Sequence, residues 1–304
     1  MWSSSFPLTA IAVFPSAHNT LKRHAKEYST YHFSQVAINS VLKIRDGTGR
    51  LFSSFKIFNF RFEFLQKCAI IVYMKVFAIS DLHLSSSVNK PMDIFGPGWD
   101  NYFEKITSDW KSKVGEDDAV LIGGDISWGI SIEEASSDFA LLSALPGKKV
   151  VLRGNHDYYW NSLSKLRTAF PDFLFLQNNC IRLGNILIVG SRGWTIPTND
   201  TTEEDQKIYK RELLRLKMSL DAMKNQRCDD DIVVALLHFP PFDVLFNDSE
   251  VTSLLEEYKI DKALYGHLHG KNARINPIVE KNGIPYLLTS CDLTGNKLIE
   301  VINN

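Results

Sequence analysis

The length, composition and charge of the chain exclude several classes of protein. Its 304 residues are 44% hydrophobic and 23% charged, so the chain can bury a full globular core. The net charge of −1 gives no sign of a nucleic-acid-binding protein or an acidic tail. Four scattered cysteines without a C-x-x-C pair argue against a disulfide framework or a zinc-thiolate site, and they fit a reducing compartment. They are Cys68, Cys180, Cys228 and Cys291.

The near-neutral total hides a difference between two parts of the chain, which divide near Met74. Residues 1–73 hold nine basic and three acidic side chains, a balance of +6, whereas residues 74–304 hold 25 and 32, a balance of −7. An acidic domain that handles an anionic substrate needs local positive charge, which bound cations can supply.

Residues 1–73 are interpreted as an extension to a folded domain that spans residues 74–304. They are rich in Ser and poor in acids, and they lack the run of about 18 to 20 uncharged apolar residues that a membrane span needs. Two interpretations stay open: a poorly ordered addition, with translation started upstream of a natural Met74, or a mitochondrial-type transit peptide. A cytoplasmic location is predicted, with organelle targeting as the alternative.

From Met74 onward, buried strands alternate with helices. Short apolar runs predict strands at residues 76–79, 119–122, 149–152, 186–189, 232–237, 262–265 and 286–288. Apolar residues at helical spacing predict helices at residues 99–114, 131–142 and 203–224. This alternation indicates an α/β layered domain.

Polar residues of one kind follow five of these strands. The segments are Asp81-Leu82-His83, Gly123-Gly124-Asp125, Gly154-Asn155-His156-Asp157, His238 and Gly266-His267-Leu268-His269. Because open α/β sheets place ligand sites outside the carboxyl ends of their strands, we expect the five segments to meet at one edge. All five histidines of residues 74–304 lie in them, which is a strong departure from a random scatter.

These residue types are typical of a site for divalent metal ions. Imidazole and carboxylate together suit Mn, Fe, Zn or Co. Asp81 and His83 are two residues apart, so both can reach one ion, and His267 and His269 have the same spacing. Two ions about 3.5 to 4 Å apart, bridged by a carboxylate, can clamp a phosphate and activate water.

The ordered set of five segments resembles the calcineurin-like metallophosphoesterase superfamily, whose five sequence blocks it contains in order over nearly all of residues 74–304. Within that superfamily the chain is similar to the small bacterial-type predicted phosphohydrolases, which begin their first strand at the initiator Met, as Met74 does here. The resemblance implies an α/β four-layer sandwich, in which two mixed β-sheets are flanked by helices. Residues 284–290 and 297–302 are expected to complete the second sheet.

The resemblance also implies a role for each residue at the strand ends. His156 would face the substrate and protonate the leaving alkoxide, and Asp157 would orient the imidazole of His156. The seven implied metal ligands form a set for one ion, a set for a second ion and a bridging carboxylate: Asp81, His83 and His269; Asn155, His238 and His267; and Asp125.

The predicted activity is metal-dependent hydrolysis of a phosphate mono- or diester by a hydroxide held between two divalent ions. The predicted partner is a small phosphate-ester substrate, and the sequence does not predict an oligomeric state. Two alternatives remain: a non-catalytic metal-binding scaffold of the same fold, and a nuclease. A nuclease would need a basic groove, which the balance of −7 disfavours.

Four further residues are weaker candidates for substrate contacts. Arg153 could pair with a substrate phosphate or hold its own loop through a salt bridge. Arg192 and Trp194 could bind a phosphate and stack on an aromatic group, or Trp194 could pack under a loop. Trp128 stands where many relatives carry a polar residue, which puts substrate contacts in doubt but not metal binding.

Overall fold

The computed structural model describes residues 74–270 and 276–303. The interpretation of residues 1–73 therefore lies outside the described residues.

The first of two β-sheets has five strands. The strand order is β11-β1-β2-β3-β4; β1 to β4 are parallel, and β11 is antiparallel to β1. The strands are β1 (Val76–Ile79), β2 (Ala119–Ile122), β3 (Lys148–Leu152), β4 (Phe173–Leu176) and β11 (Ile299–Ile302).

The second sheet has six strands in the order β5-β6-β7-β8-β10-β9. Its four central strands are parallel, and the edge strands β5 and β9 are antiparallel to their neighbours. The strands are β5 (Ile181–Leu183), β6 (Ile186–Ser191), β7 (Ile232–Leu237), β8 (Lys262–Tyr265), β9 (Ile278–Lys281) and β10 (Ile284–Leu288).

Helices cover the outer face of each sheet. Among the described residues these are α1 (Tyr102–Lys113), α2 (Ile132–Ser143), α3 (Leu163–Ala169), α4 (Glu203–Lys224) and α5 (Glu250–Glu257). Side chains that alternate along a strand point to opposite faces, so Phe77 packs with the α1–α3 layer whereas Val76 packs between the two sheets. The layers therefore run helix, sheet, sheet, helix, and the predicted two-sheet sandwich is confirmed.

Helix α4 packs on the outer face of the second sheet. Ser219 ties it to β6, because its Oγ accepts the N–H of Gly190 at 2.9 Å and donates to the carbonyl of Asn179 at 2.6 Å. Tyr209 and Leu216 are buried on the same side. In the described part of the chain, α4 and the other helices all lack the combination of length and apolar character that a membrane crossing requires.

Two sequence predictions differ from the structure. Residues 297–302 were expected in the second sheet, and this prediction is wrong: β11 pairs with β1 in the first sheet, with Val76 opposite Ile302. Val301 and Ile302 thereby join the core between the sheets. The helix predicted from residue 99 begins at Tyr102 instead, because Asn101 has a φ of 48°, a left-handed conformation that separates α1 from the preceding 3-10 turn.

Candidate metal centre

The candidate ligands lie at the carboxyl ends of five strands. β1, β2, β3, β7 and β8 each end no more than one residue before one of the predicted segments, so the strands bring these residues to one edge of the sandwich. Four of the residues have left-handed backbone: Asp81 (φ 60°), His83 (φ 45°), Asp125 (φ 52°) and His267 (φ 69°). Such conformations cost about 1 kcal/mol or more each in a non-glycine residue, and they are concentrated at functional sites.

The first group of donor atoms surrounds one oxygen of Asp81. Nε2 of His269 lies 3.2 Å from Asp81 Oδ1 and 3.2 Å from Nε2 of His83. The donor atoms of the three side chains all lie within 4.8 Å of one another. This spacing lets two imidazoles and a carboxylate bind a single ion.

The second group surrounds the Nε2 atom of His238. This nitrogen lies 2.8 Å from Oδ1 of Asn155 and 3.5 Å from Oδ2 of Asp125. The Nδ1 atom of His267 approaches the same Asn155 oxygen at 3.0 Å. Asp125 Oδ2 also lies 3.7 Å from Nε2 of His83, so this carboxylate stands between the two groups.

Asp81 and Asp125 each make their shorter hydrogen bonds to the protein through one carboxylate oxygen and turn the other toward the donor groups. Oδ2 of Asp81 accepts hydrogen bonds from the hydroxyls of Ser80 (2.6 Å) and Ser290 (2.9 Å) and from the N–H of His267 (3.0 Å). Oδ1 of Asp125 accepts the N–H of His156 at 2.8 Å. Asp81 Oδ1 and Asp125 Oδ2 are the oxygens nearest the histidines.

The arrangement of donors around His238 fits a metal ion. Its Nδ1 faces the carbonyl of Gly123 at 2.9 Å, which can only accept, so Nδ1 carries the proton. Burial would lower the pKa of His238, but Asp125 and Asp81 raise it. Once the proton on Nε2 is released, this nitrogen presents a lone pair to the amide oxygen of Asn155 and the carboxylate of Asp125. Three electron-rich atoms that face one another are stabilised by a cation among them.

The imidazoles differ in charge because their surroundings differ. Burial lowers the pKa of His83 and that of His267 to about 4, so both rings are in the neutral form that binds metals. Burial would also lower the pKa of His269, but its hydrogen bonds to Asp292 and Asp81 raise it to about 10. Burial would raise the pKa of Asp81, yet His269 holds it well below its usual range.

Asp292 belongs to the centre although no sequence motif points to it. Its Oδ1 lies 3.1 Å from Nδ1 of His269, and its Oδ2 accepts the N–H of Gly270 at 2.9 Å. A carboxylate on the far nitrogen of a metal-binding imidazole fixes the tautomer and the orientation of the ring. Asp292 lies 23 residues after His269, so only the fold reveals the pairing.

Asp157 contacts the backbone instead of the His156 ring. Its buried carboxylate accepts N–H groups from Gly154 (2.7 Å), Asp125 (3.0 Å) and Ile126 (2.8 Å), and the hydroxyl of Tyr159 (3.0 Å). Within residues 74–270 and 276–303 it makes no hydrogen bond to His156. The geometry therefore differs from the prediction that Asp157 orients the His156 imidazole. Asp157 instead joins the loops after β2 and β3.

His156 lies against aromatic rings beside the donor groups. Its ring centroid is 4.7 Å from that of Trp128 and 5.7 Å from that of His83. Its Nδ1 is buried without a hydrogen-bond partner. Trp128 also stacks on His83 at 4.8 Å, and Nζ of Lys90 lies 4.3 Å from the Trp128 ring. The indole thus packs against both a candidate ligand and the candidate acid.

The weaker candidates lie at the same edge in different surroundings. Trp194 is packed: its Nε1 donates to Asp205 at 3.0 Å, and its ring lies 4.9 Å from that of Phe239. The guanidinium of Arg192 lies 4.7 Å from the Trp194 ring. Arg153 is half-buried and, in the part of the chain that the structure describes, has no ion pair of the kind that the loop interpretation requires.

The fold and the site together define a metal-binding α/β sandwich protein. The chain belongs to the calcineurin-like phosphoesterase family, whose model matches residues 74–271. Membership supports a hydrolase of phosphate esters that binds divalent metals, in agreement with the residues at the strand ends.

Similar proteins were found by sequence and by structure. The Gene 66 protein of Mycobacterium phage D29 is 33% identical over 109 residues, which are 31% of this chain; the chain spans about half, 53%, of the length of that relative. The structure of TT1561 from Thermus thermophilus has a TM-score of 0.50 and 15% identity over 76% of this chain and 99% of that chain, which supports the fold. A predicted phosphoesterase from Streptococcus pneumoniae TIGR4 has a TM-score of 0.31 and 15% identity over 71% of this chain and 72% of that one.

Proposed function

We propose that the protein hydrolyses a phosphate mono- or diester at this centre with two divalent ions. The observation that carries the proposal is the position of two carboxylate oxygens, Oδ1 of Asp81 and Oδ2 of Asp125. Each of them faces imidazole nitrogens from two different strand-end segments. The donor types fit Mn, Fe, Zn or Co, and membership in the calcineurin-like phosphoesterase family supports the same chemistry.

The donor groups support a division of the ligands between the two ions. One ion would be held by Asp81, His83 and His269, and the other by Asn155, His238 and His267. Asp125 would be shared by both ions. When bound, the ions supply positive charge to the phosphate and lower the pKa of a coordinated water. Asp125 is the shared ligand in this proposal because its Oδ2 lies within 3.7 Å of His83 and 3.5 Å of His238.

His156 is proposed to protonate the leaving oxygen from its Nε2 atom. Its Nδ1 is buried, so Nε2 is the nitrogen available to a substrate. The backbone N–H of His156 donates to Asp125 at 2.8 Å, which fixes the position of the residue beside the ions. Trp128 limits the rotation of the ring through its contact at 4.7 Å.

The first test measures hydrolysis of p-nitrophenyl phosphate and bis-p-nitrophenyl phosphate with each metal added and with chelator. Turnover should require metal, and His156→Ala should lower it by about 100-fold or more, a typical contribution of a general acid. The preferred reporter separates a monoesterase from a diesterase. Elemental analysis of the loaded protein gives the number of ions per chain. A chain that binds two ions but hydrolyses neither reporter would support the scaffold alternative.

A further inference from the structure

The loop between β1 and α1 places a positive charge close to the candidate metal centre. Nζ of Lys90 lies 4.3 Å from the centre of the Trp128 ring. The same indole lies 4.7 Å from the ring of His156, the proposed acid, and 4.8 Å from that of the candidate ligand His83. The two distances through Trp128 limit the separation between Nζ and the centre of the His156 ring to about 9 Å, which a short alkyl chain can span.

The backbone is anchored on both sides of Lys90. On one side the N–H of Ser86 donates to Oδ1 of the buried Asp138 at 2.9 Å. On the other side the buried Met92 accepts the Nε1–H of Trp128 through its Sδ at 3.3 Å. These contacts hold the segment against α2 and the loop after β2, so the fold itself brings the ammonium group to the centre.

Trp128 is a fixed support for this charge. Its backbone N–H donates to the carbonyl of Leu84 at 2.8 Å, and its ring stacks on His83 with an angle of 23° between the planes. The face of an indole attracts an ammonium group, which favours the observed position of Nζ over free rotation of the side chain. Because the ammonium has three N–H donors, it can contact the ring and still donate to a ligand.

The ammonium group of Lys90 is accessible and lacks a carboxylate partner within residues 74–270 and 276–303. The side chain is exposed, and none of the ion pairs of these residues includes it. By contrast, Lys113 of α1 pairs with Asp109 at 2.8 Å. Exposure alone would not distinguish Lys90 from other surface lysines, but its anchored position beside the proposed acid does.

His156 marks the side of the centre on which the leaving group lies. In the proposed function its imidazole protonates the leaving oxygen, so the alcohol part of the substrate lies next to this ring. The uncharged rings of Trp128 and of the exposed Tyr158, at 4.7 and 6.1 Å, border His156 there. A negative group on that alcohol would therefore come within reach of Nζ of Lys90.

We propose that Lys90 determines substrate specificity by binding an anionic group on the alcohol part of the substrate. This proposal rests on the proposed function and specifies its substrate class: phosphate esters whose leaving alcohol carries a second negative charge a few bonds from the ester oxygen. The phosphoryl group itself binds at the metal centre, and Trp128 holds the ammonium beside it.

Calorimetric binding of phosphonates to the metal-loaded protein tests this specificity without turnover. The probes are 3-phosphonopropionate and 5-phosphonovalerate, each compared with its amide, which has a similar shape but no carboxylate charge. The parent should bind at least one acid about threefold or more tightly than its amide, and Lys90→Gln should lower that ratio to about one. Lys90→Arg keeps the positive charge and should keep most of the ratio. The amides should bind equally to all variants, because their phosphonate group binds at the ions.

Lys111→Gln is the matched control, because Lys111 is exposed on α1 and its replacement changes the net charge of the protein by the same amount. It should keep the parental ratio. Each variant is compared only after its metal content and unfolding temperature match the parent, the latter within about 3 °C. A ratio of about one for both acids in the parent would overturn the proposal. An unchanged ratio in Lys90→Gln would also overturn it, because the ions or another group would then bind the carboxylate.

The role of Lys90 and the proposed function fail in different ways. If the parent hydrolyses no ester while the ratio still falls to about one in Lys90→Gln, the anion-binding role stands and the hydrolase proposal does not. If esters are hydrolysed and the ratio does not depend on Lys90, the hydrolase stands and the role of Lys90 is rejected.

Discussion

Nδ1 of His269 lies 3.1 Å from Oδ1 of Asp292, and this contact joins the last segment of the candidate metal centre to the loop that follows β10. The other oxygen of Asp292 accepts the N–H of Gly270, so the carboxylate is fixed on both sides. As a result Nε2 of His269 points at Asp81 and His83. The geometry makes Asp292 a positioning residue for a metal ligand.

Asp292→Asn should weaken metal binding. Asparagine keeps the size of the side chain but removes the negative charge that supports the imidazole, and loss of such a partner typically costs about 10- to 100-fold in metal affinity. Competition with a fluorescent chelator measures the dissociation constant. Asp230→Asn is the control, because Asp230 is exposed in the loop before β7. Equal affinities in the two variants would show that Asp292 does not position His269.

Metal affinity should rise with pH. His269 has a pKa of about 10, which Asp292 and Asp81 raise against burial, so below that pH the metal-free protein holds a proton that an ion must displace. His83 and His267, with pKa values of about 4, have no such proton near neutral pH. The proton released from His269 should contribute a decrease in the dissociation constant of about tenfold per unit between about pH 7 and pH 9, and a proton released from His238, whose pKa Asp125 raises against burial, would add to it.

The same chelator competition at several pH values checks this slope. In Asp292→Asn the slope should flatten toward the upper end of the range, because the proton on His269 is held less tightly. A dissociation constant that is flat across the range in the parent would contradict the charge state given to His269.

The candidate ligands can be predicted from the sequence because they follow strands that are strongly apolar. Val76–Ile79 and Ile232–Leu237 are buried runs that can be recognised without a structure, and parallel strands bring their carboxyl ends to one edge. β5 has only three residues, too few for a periodic signal, and no strand is predicted there. The prediction that β11 lies in the second sheet was wrong because its partner is β1, the first strand of the domain. No local sequence pattern encodes this pairing.

The contacts of individual side chains are harder to predict than the ligands. Asp157 follows His156 directly, which favours a pair, but its carboxylate turns to the backbone of the loops after β2 and β3. In the sequence Trp128 is only an unusual residue for its position, whereas in the structure it packs against His156. Adjacency in sequence does not fix the direction of a side chain when a tight loop changes the backbone between neighbours.

Trp128→Ala should impair protonation of the leaving group more than metal binding. Without the indole the His156 ring gains rotational freedom, because its Nδ1 has no hydrogen bond to hold it. We expect kcat to fall about tenfold for an alkyl phosphate, whose leaving oxygen needs a proton, and less for p-nitrophenyl phosphate. Trp128→Phe should recover much of the loss. Equal losses with both esters would indicate a defect in the metal centre, since Trp128 also stacks on His83.

Asp157→Asn should destabilise the fold. This result would distinguish the observed backbone contacts of Asp157 from its predicted role of orienting the His156 imidazole. The carboxylate accepts four N–H groups and the Tyr159 hydroxyl at a buried position. Asparagine would turn an NH2 group toward some of these donors, so we expect a loss of about 2 to 4 kcal/mol in the free energy of unfolding. Chemical denaturation measures the free energy of unfolding, with Asp230→Asn as the exposed control.

If Asp157 acted mainly through the His156 imidazole, the Asp157→Asn variant would keep its stability and lose kcat instead. A destabilised protein with impaired metal loading is the outcome that the geometry predicts, because the backbone N–H groups of Asp125 and Gly154 both donate to this carboxylate.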